Sequence, residues 1–300
     1  MIQVVTDSVA SIPQDGLKDV PIDVVSLFVN RNGVEYEDAT MDVDAFYADI
    51  YAMLDDIPTS SQPSQHTLED RFRRIAQAGD ELIGVFVSTY LSGTYDSAVR
   101  AAQAVKSRIP GFKYALIDSL SCGFDEAFPV FSAHNAVKEG LDLSKCVDAV
   151  LHSMRATRFL FTPETLTFLQ RGGRIGNAAA LLGNLIKLAP VLTIAEGQAG
   201  TVAKVRSRKK ALERMIHEFK ADVAAFGLKS VVVHYIGDKV PAAEFAKSSI
   251  EPLVGKLVRV IPVSPVIGLH VGPAIALVYE CERAMPYKFK GSAPVHLSLS

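Results

Sequence analysis

Tryptophan is absent from these 300 residues, and cysteine occurs only three times. Cys122, Cys146 and Cys281 cannot build a disulfide framework, and none belongs to a C-x-x-C pair, so reduced thiols in a cytoplasmic protein are expected. Long apolar runs are scarce. The stretch nearest to a membrane span, Ile175 to Ala195, carries Asn177, Asn184, Lys187 and Pro190. Each is costly in hydrocarbon and the proline interrupts a helix, so no membrane insertion is expected. The opening residues, MIQVVTDS, have the alternation of a strand and no basic-then-apolar leader, so no signal peptide is expected. The sequence has no G-x-x-x-x-G-K-[ST], no G-x-G-x-x-G after a strand, no H-E-x-x-H, no Cys/His cluster and no G-x-S-x-G. Phosphate-loop, dinucleotide, zinc and serine-hydrolase chemistry therefore lack their usual carriers, and no cofactor or metal is expected. Basic residues do not interleave with aromatics, so a nucleic-acid partner is not expected either.

What is present describes a well-packed globular chain. Hydrophobic residues make up 49% and charged residues 21%, enough apolar surface to offset the entropy of ordering. The net charge of -2 conceals an asymmetry, because residues 1–150 are strongly acidic and residues 151–300 strongly basic. Two regions with different surfaces follow, the second suited to an anionic ligand or an acidic partner, unless the two halves simply attract one another.

The first half alternates strand and helix. Strands are expected at Ile2–Thr6, Asp23–Phe28, Leu82–Ser88 and Tyr114–Asp118, with a hairpin turn at Asn32-Gly33. Helical spacing runs through Val43, Phe46, Tyr47, Ile50, Tyr51 and Leu54, again from Gly93 to Ser107, and through much of 123–157. This is the pattern of a parallel sheet with helices on both faces. In the second half, strands at Pro190–Ala195 and Thr201–Val205 flank a hairpin, more are expected at Ser230–Tyr235, Leu257–Pro262 and Ala274–Glu280, and helices at 207–225 and 241–253. The fold class expected is α/β in two domains: an N-terminal parallel-sheet α/β/α domain over 1–155 and a C-terminal mixed-sheet α+β domain over 156–286. The polar tail, 287–300, is expected to be loosely held.

Small polar residues gather where strands should end. Thr6-Asp7-Ser8 and Asp118-Ser119-Leu120-Ser121 follow strands, and Ser88-Thr89-Tyr90-Leu91-Ser92-Gly93-Thr94 joins a strand to a helix. Pro58–Ser64 (Pro-Thr-Ser-Ser-Gln-Pro-Ser) is a further hydroxyl-rich segment. Ligands of open parallel sheets bind beyond the carboxyl ends of strands. A helix start such as Ser92-Gly93 offers backbone N–H groups to a carboxylate or phosphate, although capping alone also accounts for these residues. In the second half, paired glycines precede Arg174, whose guanidinium is a forked donor for an anion. Five basic residues fall among the seven from Lys204 to Lys210. They form either a solvated helix start or the docking surface of a partner, and cations there oppose the helix dipole. His270 sits among glycines, where it can serve an anion or a serine hydroxyl.

In this order the segments resemble the DegV family over nearly the whole chain, from Val4-Val5-Thr6-Asp7-Ser8 to Gly268-x-His270-x-Gly272-Pro273. Ser60–Ser64 is similar to the family's T-S-Q-P-S loop, Leu91–Ala98 to its L-S-G-T-Y-x-S-A turn, Leu166–Ile175 to its L-x-x-L-x-x-G-G-R-I stretch, and Lys204-Val205-Arg206 to its K-V-R. The resemblance implies a non-enzymatic, two-domain protein that holds a long-chain fatty acid such as palmitate, stearate or oleate between its domains. In FakB-type members it implies an acyl-binding subunit that offers the carboxylate to a separate fatty acid kinase subunit. By matching positions it implies carboxylate binding by Ser60, Ser92, Gly93, Arg174 and His270. Ser61, Asp7, Ser8, Ser119 and Gly173 are candidates for additional pocket positions, and Lys204, Arg206 and Arg208 for the docking surface. Ser60 departs from the family's threonine: the hydroxyl is kept and the methyl lost. Two other readings remain open on the residues alone, an enzyme acting on a small phosphorylated metabolite with His270 as acid or base, and a lipid-sensing regulator.

Overall fold

A computed structural model describes residues 1–300 apart from Asp19, 185–187, Tyr287, Lys290, Ser292, Ala293 and Ser300. Its first layer is a five-stranded sheet in the order Val295–Ser298, Tyr114–Asp118, Glu81–Phe86, Ile2–Asp7, Ile22–Val25. The four inner-chain strands are parallel. Successive side chains of a strand point to opposite faces, and here both faces are apolar. Val4, Ile83, Val85, Ala115 and Ile117 pack with the helices Phe124–Lys138 and Leu143–Ala156. Their neighbours Val5, Leu82, Phe86 and Leu116 pack with Gln65–Gln77 and Thr94–Arg108.

The second layer is a six-stranded mixed sheet, ordered Gln198–Val205, Ala189–Ala195, Thr157–Pro163, Ala274–Glu280, Ser230–Ile236, Arg259–Pro262. Only the last pair is parallel. The hairpin at its edge turns on Glu196 and Gly197, both at positive φ, as do Asn32 and Gly33 in the first half. The chain passes from one layer to the other between Ala156 and Thr157.

Several expectations are corrected. The strand expected over Asp23–Phe28 is two strands in different sheets. After Ile22–Val25 the chain leaves the first layer, and Phe28–Arg31 joins a separate three-stranded sheet with Val34–Glu37 and Thr59–Ser61. The bend is fixed by side chains: Leu27 N–H donates to Ser8 Oγ at 3.0 Å, and Ala39 N–H to Ser26 Oγ at 3.0 Å. This excursion, residues 26–64, forms an arm that lies against the second layer. Helical spacing at 43–54 gives a helix only over Val43–Ala48, followed by a 3₁₀ turn at Ala52–Leu54. The helix expected at 241–253 is interrupted by a π turn at Ala246–Ile250, next to Pro252, which has no N–H to donate. Thr157, where the expected helical stretch ends, instead opens a buried strand, Thr157–Pro163, and His270, among glycines before a strand, stands on a helix, Pro265–Val271.

The tail expected to be loosely held is instead built into the first layer. Val295–Ser298 pairs antiparallel with Tyr114–Asp118 and covers what would be an open sheet edge. Phe289 is buried in that layer's core under the Arg155 guanidinium, 5.3 Å from the ring centroid. Lys288 places its ammonium 2.6 Å from the carboxylate of Asp125, both side chains almost fully buried. Removing one member of a buried pair strands the other's charge. Lys288→Met is therefore expected to cost about 3–5 kcal/mol of folding stability, measured by urea denaturation at neutral pH.

Candidate functional site

A cavity of about 340 Å³ lies between the two layers and the arm. Its walls are apolar, with Val9, Leu27 and Val87 from the first half facing Phe159, Phe161 and Ile194 from the second. Its polar groups are Ser60, Ser61, Gln62, Ser92, Gly93, Arg174 and His270. Ser60 Oγ and His270 Nε2 are 2.9 Å apart. Arg174 donates from Nε to the carbonyl of Leu91 at 3.2 Å and from Nη1 to that of Gly172 at 2.6 Å. Gln62, two residues beyond Ser60, rests against Gly93. These links gather the arm, the first layer and the second layer at one place.

Local sequence explains each position. Ser60 is in the last strand of the arm's sheet, paired with Val29. Ser92 precedes the helix Thr94–Arg108. Gly93, rather than Ser92, holds the cap position, and Ser92 Oγ instead accepts from Thr94 N–H at 3.3 Å and lies 2.8 Å from Thr94 Oγ1. Arg174 follows a short helix, Thr167–Arg171, that ends in the paired glycines. Gly172 is required by contact: a Cβ there would stand 2.4 Å from His270 Nδ1 and 3.0 Å from the Phe168 carbonyl. Gly173 is required by conformation, at φ +70°.

The electrostatics favour an anion. Burial, with the Arg174 charge as a second cause, pushes His270 down to about 3, so its ring is neutral at physiological pH. Its Nδ1 is buried with no hydrogen-bond partner among the described residues. In the tautomer with the proton on Nε2, His270 donates to Ser60 Oγ and leaves the serine hydroxyl to donate into the cavity. Burial likewise pushes the Cys122 thiol, on the cavity wall, well above its ordinary range, which removes its nucleophilic form.

Of the expected positions, Ser60, Ser61, Ser92, Gly93, Arg174 and His270 line the cavity, whereas Asp7, Ser8, Ser119 and Gly173 do not. Both carboxylate oxygens of Asp7 accept backbone N–H groups, from Val9 and Val87 at 2.9 Å each, and burial still raises it to about 7. Asp7 and Ser8 line a separate cavity of about 170 Å³. Ser119 is turned back on its own loop, donating to the Ser121 carbonyl at 3.1 Å. Phe159 and Phe161 line the cavity. Ala178 and Leu181, of the apolar run 178–186, are buried in the core without lining it, and Leu185 and Ile186 fall outside the described residues. Lys204, Arg206 and Arg208 are exposed at the end of Gln198–Val205 and the start of the helix Arg208–Phe226, with Arg208 paired to Glu164 at 2.9 Å. Residue reasoning left Gln62 and Gly172 without roles, although both lie inside segments it singled out.

The chain matches, over residues 1–282, a family described as uncharacterised protein, DegV family. A DegV domain-containing protein of Clostridium acetobutylicum is 34% identical over 290 residues, covering 95% of this chain and 99% of the relative. One from Clostridium perfringens is 33% identical over 287 residues, covering 94% and 99%. Among solved structures, a Thermus thermophilus protein described under fatty acid binding of a DegV family protein has a TM-score of 0.81 at 30% identity, covering 93% of this chain and 99% of its own. A stearic acid-binding protein from Eubacterium ventriosum has a TM-score of 0.84 at 25% identity, covering 94% and 99%.

The depressed basicity of His270 and of His234, which burial lowers to about 4, gives a direct test. In NMR titrations of the empty protein neither ring should change charge between pH 5 and 8, while a solvent-exposed histidine titrates near 6.5. An inflection for His270 above pH 5 would contradict the neutral ring.

Proposed function

The chain belongs to the DegV family, and on that premise we propose that its cavity holds a long-chain fatty acid such as palmitate, stearate or oleate and presents the carboxylate to a separate kinase subunit. One observation carries the reading: an apolar cavity between the layers whose polar groups are gathered at one place, in a family with solved members described as binding fatty acids. Burying some fifteen carbons contributes about 12 kcal/mol at ~0.8 each. Association costs of roughly 4–15 kcal/mol offset much of that. The balance therefore turns on the carboxylate, which would cancel the gain if it were buried without partners. Ser60 and Ser92 supply hydroxyls and Arg174 a cation. The same wall disfavours a small phosphorylated metabolite, which has no apolar surface to match it.

The role is that of a carrier, with the phosphoryl transfer left to the kinase. Buried, unpaired thiols at Cys122, Cys146 and Cys281 suit a cytoplasmic setting. Among the described residues no helix is long and apolar enough to cross a membrane. The exposed cations Lys204, Arg206 and Arg208 are the proposed kinase-docking surface.

Native mass spectrometry followed by denaturing extraction tests the ligand. A mass increment matching a fatty acid is expected, and a protein that arrives empty and refuses added palmitate and oleate overturns the reading. Ser92→Ala should weaken binding by about 1–3 kcal/mol, the loss of a hydrogen bond to a charged group, read by calorimetry. Arg206→Glu should leave fatty-acid affinity unchanged and slow phosphorylation by the kinase. Equal phosphorylation of both proteins would remove Arg206 from the docking surface.

A further inference from the structure

We propose that Gln62 is the latch of the cavity's polar end, a positioning residue that sets how fast a ligand enters and leaves. The inference rests on the fatty-acid reading and adds the device that governs exchange at that site.

Gln62 both lines the cavity and is exposed, which places it at the boundary between cavity and solvent. Its carboxamide is bonded at one end and packed at the other. Nε2 donates to Ser97 Oγ at 2.8 Å. Ser97 is buried in the first turn of the helix Thr94–Arg108, and its hydroxyl also accepts from Arg100 Nη2 at 2.8 Å. Oε1 lies over Gly93 so closely that a Cβ there would stand 2.4 Å from it and 3.3 Å from Cδ. The backbone of Gly93, at φ -81°, is open to any residue. A side chain at this position would displace the carboxamide above it.

The bond ties the arm's edge to the first layer at the mouth of the cavity, away from the arm's other first-layer contacts at Ser8 and Gln14. Gln62 is on the arm, directly after the strand that carries Ser60. The arm is seated on the second layer, where Tyr47 Oη donates to the Val263 carbonyl at 2.7 Å and Ser264 Oγ to Asp38 at 2.8 Å. Ser97 belongs to the first layer. Breaking the Gln62–Ser97 bond frees the arm's edge from the helix that Ser92 and Gly93 precede, and parts the polar groups on either side of the mouth. The apolar wall is untouched by this step. A latch closed over both the empty and the filled cavity therefore changes entry and exit together, and affinity much less than either.

Stopped-flow capture and release of a fluorescent sixteen-carbon fatty acid, with thermal melts to establish folding, tests the proposal. Gln62→Ala and Ser97→Ala should each raise both rates about three- to ten-fold, the effect of one lost hydrogen bond. The double variant should be no faster than either single one. Gly93→Ala should accelerate exchange when Gln62 is present and add nothing to Gln62→Ala, where the carboxamide it would displace is gone. Unchanged rates in both Gln62→Ala and Ser97→Ala overturn the latch. So does a faster release with an equal loss of affinity and unchanged capture, which would make Gln62 a direct ligand contact. A wild-type protein that captures no fatty acid overturns the ligand reading first, and the latch with it.

Discussion

The site depends on the seating of one carboxylate. Asp38, buried in the arm, accepts from Ser264 Oγ at 2.8 and 3.0 Å and from Val266 N–H at 3.0 Å. Burial raises its affinity for a proton, while hydrogen bonds from Ser8, Val266 and Ser264 oppose that. A carboxylate removed from water must find such donors, and only one docking of the arm supplies them. That docking sets Ser60 beside His270, whose helix starts at Ser264. The polar cluster is thus a consequence of where a buried charge can be satisfied. It does not follow from affinity between the functional residues themselves.

A second buried polar group joins the layers from within. His234 accepts the Phe124 N–H at 3.2 Å and faces the Ile261 carbonyl at 2.9 Å through Nδ1, so its neutral ring bridges a first-layer helix and the second sheet. Ser88 Oγ donates to the Gly197 carbonyl at 2.8 Å across the same junction. The halves carry opposite net charge, yet the contacts that fix their geometry are not exposed ion pairs but directed hydrogen bonds. These are directional, whereas exposed ion pairs are screened and loosely oriented.

Much of this was legible in the sequence where local chemistry decides the outcome. Asn32-Gly33 and Glu196-Gly197 need positive φ, and both are turns. The continuous apolar runs Leu82–Phe86 and Tyr114–Ile117 are those of strands buried on both faces. The elements that were not legible are those decided by distant partners. Phe28–Arg31 looks continuous with Ile22–Val25 until Ser8 and Ser26 bend the chain, and Ser8 is contributed from another segment altogether. Val295–Ser298 has weak propensity of its own, and an open sheet edge makes it a strand. At the site, hydroxyls and Arg174 announced themselves by residue type. Asp7 and Ser119 carry the same types and serve the backbone instead, a distinction that only the folded surroundings make. Gln62 and Gly172 were hidden for the converse reason, since a carboxamide and a glycine gain roles only from what lies against them.

The strand contributed by residues 295–298 has a consequence for how the molecule is made. The first layer precedes the second in the chain, but its sheet edge stays open and Asp125 stays without its cation until Lys288 and Val295–Ser298, beyond the second layer, have been synthesised. N-terminal domains ordinarily fold first during synthesis, as units. Here the first layer must wait, incomplete, while the second is produced. The order of translation and the order of completion run in opposite directions, and a segment made after the second layer closes the first.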